Sequence, residues 1–349
     1  MKYRSCIMIE NCYLNFNGRI DGAKDKCMTL CCEGVANVPG SGFRDTARES
    51  IGGFMRERAE LIAESVRLEL LEGEDVERNF TAGCAGCVRF QVGNFGDFDG
   101  LIHYVNLSMY PAPCQCKCVY CGVHKGETGA FNSGLHADCY EKLFGILEYA
   151  KQNKIIAPDA VWQISSGEIT IHPYRERIIK LVRGESAVFY TNCFIFDEKI
   201  AENLGANPRS AINLSIDCGT PSTWRAVKGV DNFDIVTDNL VKYYDASARP
   251  GQITLKYIVM PGINDNLSDY LSVVEIMKVL GVKHLSLSRD TRIKYTIAEP
   301  ERDTLIGASG YLAAILHKNG LTFDMFSYTP QEQEGAVAFA RDLLQSGEV

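Results

Sequence analysis

A chain of 349 residues, 46% hydrophobic and 23% charged, has enough apolar material for a large core, as one big domain or two smaller ones. Its formal charge of -8, with basic residues scattered among acidic ones, leaves no electrostatic footprint for nucleic acid and favours a small-molecule or peptidyl substrate. Met1 to Cys12 has too short an apolar run for a secretory signal, and no stretch approaches the roughly 18 apolar residues of a membrane helix. A cytoplasmic protein with no membrane partner is expected.

The fourteen cysteines are the compositional anomaly, because a reducing compartment does not sustain a disulfide framework. Eleven of them lie within the first 121 residues, and the remainder holds only Cys139, Cys193 and Cys218. Metal ligation is the leading explanation, since use as small core residues would not cluster them in this way.

The first hundred residues place cysteines around a Gly/Asp turn at Asn17 to Gly22 and continue through a Gly- and Pro-rich loop, Gly34 to Gly42. An amphipathic helix follows, with Met55, Ala59, Ile62, Val66 and Leu70 on its apolar face, a stripe read as packing. Gly83-Cys84-Ala85-Gly86-Cys87 ends this segment, taken as a small separate domain over residues 1–97.

From there β and α patterns alternate. Leu101 to Tyr110, Val161 to Ser165, Ala187 to Thr191, Ala211 to Asp217, Ile253 to Val259, Lys283 to Ser288 and Leu321 to Phe326 read as short buried strands. Leu135 to Lys151, Tyr174 to Arg183, Asp197 to Leu204, Phe233 to Asp245, Leu267 to Leu280 and Thr304 to Asn319 read as the helices between them. The alternation predicts an α/β fold with a parallel sheet and right-handed crossovers. The first six units occupy fewer residues than the roughly 250 typical of a closed eight-fold barrel, so a partial, open-sided barrel over residues 98–292 is expected, with a βα extension over 293–349.

The first of these strands runs into Pro111-Ala112-Pro113-Cys114-Gln115-Cys116-Lys117-Cys118-Val119-Tyr120-Cys121. Cys114, Cys118 and Cys121 have the spacing CxxxCxxC, which lets one short loop hold three corners of an iron-sulfur cube, with thiolates as the natural ligands. Three ligands leave one iron open to a chelating amine and carboxylate. The competing reading is a zinc site made from Cys114, Cys116, Cys118 and Cys121, although zinc ribbons usually need paired CxxC knuckles.

This spacing, with the aromatic Tyr120 before the last cysteine, resembles the radical S-adenosylmethionine (SAM) superfamily, and the likeness extends from about residue 100 to 290. Ser165-Ser166-Gly167-Glu168 looks like a variant of the family's Gly-Gly-Glu turn, which receives the SAM amino group. Asn192 ends the third strand in a text similar to the family's Thr-Asn ending, and Ser215 and Asp217 fall where ribose or methionine contacts are expected. Ile258-Val259-Met260-Pro261-Gly262-Ile263-Asn264-Asp265 resembles the fifth-strand exit. The resemblance implies a partial (β/α)6-type radical SAM barrel, a SAM-binding [4Fe-4S] cluster, and reductive cleavage of SAM to a deoxyadenosyl radical that removes a substrate hydrogen. It also implies a flavodoxin- or ferredoxin-type electron donor.

Cys12 through the turn to Cys31-Cys32, then a helix and Cys84-Ala85-Gly86-Cys87, is similar to the family's SPASM/twitch auxiliary-cluster domains, here placed before the barrel. On that resemblance Cys12, Cys32, Cys84 and Cys87 are the expected ligands of an auxiliary [4Fe-4S] cluster, with Cys6, Cys27 and Cys31 as substitutes and structural zinc as the alternative. Oxidation of the substrate is the first expected reaction, because an auxiliary cluster offers an exit for the second electron. Epimerisation, with Cys193 or Cys218 returning a hydrogen atom, and C-C or C-S crosslinking of a peptide are the alternatives. A non-catalytic zinc scaffold would account for the N-terminal thiols but not for the ordered strand-end motifs. Lys256, Arg289, Asp290 and Arg292 are candidate clamps for carboxylates or hydroxyls. His124 and His172 fall near the site without a readable partner.

Overall fold

A computed structural model describes residues 2–18, 28–30, 40–69, 91–94, 99–109, 113–121, 133–165, 167–290 and 300–349. The chain forms two compact units: Met1–Pro113, Gly126–Gly167 and Glu176–Ala187 make the first, and Cys114–Lys125, Glu168–Arg175 and Val188–Val349 the second.

In chain order the first unit contains β1 (Lys2–Ser5), α1 (Ile7–Glu10), β2 (Tyr13–Gly18), β3 (Met28–Thr29), β4 (Gly40–Ser41), α2 (Ala47–Glu69), β5 (Gln91–Asn94), β6 (Ile102–Met109), α3 (Ser133–Gln152), β7 (Ile156–Ile164) and α4 (Arg175–Leu181). β6 lies parallel between β2 and β7. Leu14, Phe16, Val105, Leu107, Trp162 and Ile164 share one face and are buried, while Tyr104, Asn106 and Gln163 line the other. That second face is polar and cross-linked: Asn106 Nδ2 donates to Asn15 Oδ1 at 2.8 Å, and Ser165 Oγ to Asn106 Oδ1 at 3.0 Å.

Helix α2 corrects the expected apolar face. Its buried residues are Ile51, Phe54, Arg58, Leu61 and Ser65, whereas Ala59 is exposed and Met55, Ile62 and Val66 are half-buried. The cause is Arg58, whose Nε and Nη2 donate to the carbonyls of Ile9 and Glu10 at 2.8 and 2.7 Å. These are C-terminal carbonyls of α1, which lack helical partners, and satisfying them turns this face inward. A hydrophobicity count cannot see a buried arginine.

The second unit contains β8 (Ser186–Tyr190), α5 (Glu198–Ala206), β9 (Ala211–Ser215), α6 (Pro221–Lys228), α7 (Phe233–Ala246), β10 (Ile253–Val259), α8 (Leu267–Val279), β11 (His284–Arg289), α9 (Glu301–Lys318), β12 (Thr322–Phe326) and α10 (Pro330–Ser346). Each of its strands pairs parallel with the next. Ile212 and Leu214, Ile253 and Leu255, and Leu285 and Leu287 form the buried face, and strand follows helix as the α/β expectation requires. Helix starts carry their caps: Asp197 accepts from Lys199 N and Ile200 N before α5, and Thr329 and Glu332 form a capping box on α10. Among the described residues no helix is long and apolar enough to cross a membrane.

Candidate active site

The cysteine loop, Cys114 to Cys121, belongs to the second unit, and α6 holds it in place. Lys117 N donates to Lys228 O at 2.7 Å and Val119 N to Val227 O at 2.9 Å, so the loop pairs with the last turn of the helix. Val119 and Tyr120 pack on Val227, Ile258 and Met260. Gly229 permits this approach: its φ is +67°, and a Cβ there would meet the Cβ of Lys117 at 2.9 Å. Gly229→Ala is therefore expected to cost about 1–2 kcal/mol from the left-handed backbone alone and to push the loop off α6. Denaturant titration with iron uptake checks this; an unchanged midpoint and full iron loading would refute it.

Beneath the loop lies a buried ion pair. Lys228 Nζ reaches Asp217 Oδ2 at 2.5 Å, Ser215 O at 2.6 Å and Tyr120 Oη at 2.7 Å, with side-chain exposures of 3% for Lys228 and 0% for Asp217. The Tyr120 hydroxyl donates to Asp217 Oδ2 at 2.7 Å, and Asp217 Oδ1 accepts from Ile258 N at 2.7 Å. Asp217 takes the left-handed backbone, φ 55°, and Asn264 Nδ2 donates to its carbonyl at 2.7 Å. Burial opposes the charge on Lys228, yet Asp217 and the Cys118 thiolate together hold its pKa above the ordinary lysine value.

Glu168 organises the other side. Its carboxylate accepts from Asn192 N at 2.6 Å, Thr191 Oγ1 at 2.9 Å, and Thr170 N and Oγ1 at 3.1 and 2.9 Å. Burial raises its pKa, and the same hydrogen bonds pull against that. Asn192 in turn reaches the cysteine loop, with Nδ2 3.6 Å from Cys114 Sγ and Oδ1 accepting from Gln115 Nε2 at 3.3 Å.

The loop's thiols are electrostatically unequal. A hydrogen bond from Cys116 draws Cys118 down to about 6 against the effect of burial, and Lys228 adds to the lowering. Cys114 is lowered by the same neighbour, and Cys116 itself, buried beside both, is raised.

Cys114 and Cys118 are poised to ionise, and Cys121 follows on the same half-buried loop, which is the donor chemistry a thiolate-ligated cluster requires. Among the described residues no three His, Cys, Asp or Glu side chains form a group that could hold a metal ion. The fit to a cluster rests on donor type and ionisation.

Residues 113–275 match the Radical SAM superfamily model. That match supports superfamily membership and takes in the cysteine loop, Glu168, Asn192, Ser215, Asp217 and Lys228. The chain is also similar to the GTP 3',8-cyclase of Heliobacterium modesticaldum, 25% identical over 171 residues, which is 47% of this chain and 49% of the cyclase. It thus spans about half the length of that curated relative. Among solved structures, Streptococcus suis SuiB bound to S-adenosylmethionine aligns with a TM-score of 0.44 and 14% identity over 64% of this chain and 46% of SuiB. A radical SAM methyltransferase from Sphaerobacter thermophilus aligns at 0.37 and 12%, over 55% of this chain and 57% of that one.

The structure brings Tyr120, Asp217 and Ser215 together around Lys228, and Glu168 and Asn192 beside Cys114 and Gln115. Gly167 lies in the first unit, and Ser166, His124 and Arg292 lie outside the described residues. Cys193 and Cys218 are fully buried, at 0% exposure, and burial raises both pKa values; Cys218 Sγ donates to Ile216 O at 3.2 Å. Cys139 is half-buried on α3. His172 is buried, which lowers its pKa to about 4, and its Nδ1 accepts from Tyr174 N. Arg289 pairs with Glu332 at 3.1 Å, each 2% exposed, and Asp290 is buried.

Of the expected auxiliary ligands only Cys12 is described. It is buried against Met55, Sγ to Sδ 3.7 Å, and burial pushes its pKa up to about 12. Cys32, Cys84 and Cys87, with Cys27 and Cys31, lie outside the described residues; Cys6 is half-buried. Sequence reasoning missed Lys228 as the partner of Asp217, and its only signal was a lysine before a helix-ending glycine.

Proposed function

We propose that this protein is a radical SAM enzyme that oxidises a small-molecule or peptidyl substrate. The observation that carries the proposal is the cysteine loop, with Cys114, Cys118 and Cys121 half-buried on one turn that α6 holds, inside the segment that matches the superfamily. Cys114, Cys118 and Cys121 would hold a [4Fe-4S] cluster, which would supply the electron for reductive cleavage of SAM.

The chain's own residues prepare that event. Lys228 places a buried positive charge beside the Cys118 thiolate, and Asn192 directs an amide N–H at Cys114, both favouring the ligated form. Glu168 fixes the Asn192 backbone through Oε2 and binds Thr191 and Thr170 through Oε1, so it acts as a positioning group. Tyr120, through Asp217, keeps the loop's aromatic residue turned inward. Ser166, Gly167 and Ser215 remain the proposed SAM contacts.

Oxidation removes one hydrogen atom, one electron and one proton from the substrate. An auxiliary [4Fe-4S] cluster on the N-terminal cysteines would supply the exit for the electron, and a flavodoxin- or ferredoxin-type protein the reducing equivalent for SAM cleavage. The burial of Cys193 and Cys218 favours this reading over inversion, which needs a thiol at the substrate.

With dithionite as reductant, the anaerobically reconstituted chain is expected to convert SAM to 5'-deoxyadenosine and methionine. Iron-loaded protein that leaves SAM intact would sink the proposal. Turnover in D₂O then separates oxidation from epimerisation: a one-dalton gain at the reacting carbon, lost in Cys193→Ala or Cys218→Ala, would favour the epimerase, and none is expected.

A further inference from the structure

Face alternation in the second unit leaves one polar row. Ser215 on β9, Lys256 on β10, Ser286 on β11 and Asp324 on β12 are register partners, and they project from the face opposite Leu214, Leu255 and Leu285. All but the exposed Asp324 are half-buried. Polar side chains on a partly buried face usually find partners within the fold.

This row does not. Lys256 Nζ lies 5.0 Å from the centroid of the Phe326 ring, a face-on cation contact, and makes no hydrogen bond or ion pair with any described residue. The hydroxyls of Ser215 and Ser286 are likewise without a hydrogen bond to any described residue. Asn213 Oδ1, one row below on the same face, is buried and unpartnered. Of the acids that act on Lys256 from a distance, Asp217 is paired with Lys228, and Asp324 is exposed to solvent beside His284 at 3.5 Å. Lys228, the other nearby cation, is neutralised by Asp217. Lys256 is therefore a half-buried ammonium with no carboxylate in ion-pair contact among the described residues, an arrangement that favours a ligand that supplies the anion. Burial lowers its pKa, the direction such isolation produces.

We propose that Lys256, with the Ser286 hydroxyl beside it and Phe326 beneath it, forms a subsite for an oxyanion of the substrate, a carboxylate or a phosphate. The inference rests on the functional reading above and narrows its substrate to an anionic molecule. Lys256 contributes charge and Ser286 a directed donor, the pairing that gives charge-assisted hydrogen bonds their strength. The unpartnered Asn213 acceptor adds a place for a donor on the same molecule.

The test follows each lysine by NMR after reductive ¹³C-methylation, which keeps the charge, in the reconstituted full chain. The Lys256→Met spectrum assigns the signal. Inorganic phosphate and acetate are the probes, and S-adenosylhomocysteine is the control for the cofactor's own carboxylate. The Lys256 signal is expected to titrate saturably, about tenfold more tightly than the exposed Lys278, with or without the control. Ser286→Ala is expected to weaken that binding about fivefold. A Lys256 signal that S-adenosylhomocysteine moves, and then shields from phosphate, would assign the residue to the cofactor and overturn the proposal. Equal, unsaturable shifts at all lysines would overturn it as well. Iron content and SAM cleavage of the same preparation report on the functional reading separately, because the titration needs only the folded chain.

Discussion

Replacing Cys114, Cys118 and Cys121 together by alanine is expected to remove about half of the roughly eight iron atoms that anaerobic reconstitution loads, and to abolish SAM cleavage. The halving would follow from the two [4Fe-4S] sites proposed, one on this loop and one on the N-terminal cysteines. Cys116→Ala is the informative companion. Cys116 is the neighbour that lowers both Cys114 and Cys118, so its loss removes that influence but none of the three proposed ligands. Iron should therefore still load in Cys116→Ala. A zinc site made from all four loop thiols predicts the opposite, since Cys116→Ala would then remove a ligand. Stoichiometric zinc with little iron in the unaltered chain would overturn the cluster assignment.

How far such residues can be read from sequence depends on whether their signal is local. Ile253 to Val259 was legible to its last residue, because a β-branched run bounded by turn residues has few other uses. Helix α6, Pro221–Lys228, was not separated from the loop after β9, since Thr-Pro-Ser-Thr reads as a turn although Thr220 and Pro221 are also a helix start. Helix α10 was passed over because its first turn, Pro330 to Gln333, is polar and shows no stripe. Strand β2 was hidden in text that reads toward a glycine turn, and it gains its definition from pairing with β6 and β3. The thiol spacing marked the site, but what supports the thiols comes from far along the chain. Asp217 was expected, on the family resemblance, to face a ligand; it turns inward onto Lys228, eleven residues on.

That buried pair carries the largest stability effect expected here. Lys228→Met leaves the Asp217 carboxylate at 0% exposure with only Ile258 N and the Tyr120 hydroxyl to satisfy it, and removing one partner of such a pair costs about 3–5 kcal/mol. Tyr120→Phe removes one hydroxyl and leaves the pair closed, so about 1–2 kcal/mol is expected. Asp217→Asn strands the ammonium and should resemble Lys228→Met. The double variant Asp217→Asn with Lys228→Met leaves no unpaired charge, so its cost should fall well short of the sum of the single costs. Denaturant titration of the four variants gives the order directly. Equal costs for Tyr120→Phe and Lys228→Met, or strict additivity in the double variant, would show that the ion pair does not hold the site. Iron uptake should follow the same order: the ammonium that neutralises Asp217 also stands beside Cys118, and the backbone of Lys228 is what the cysteine loop pairs with.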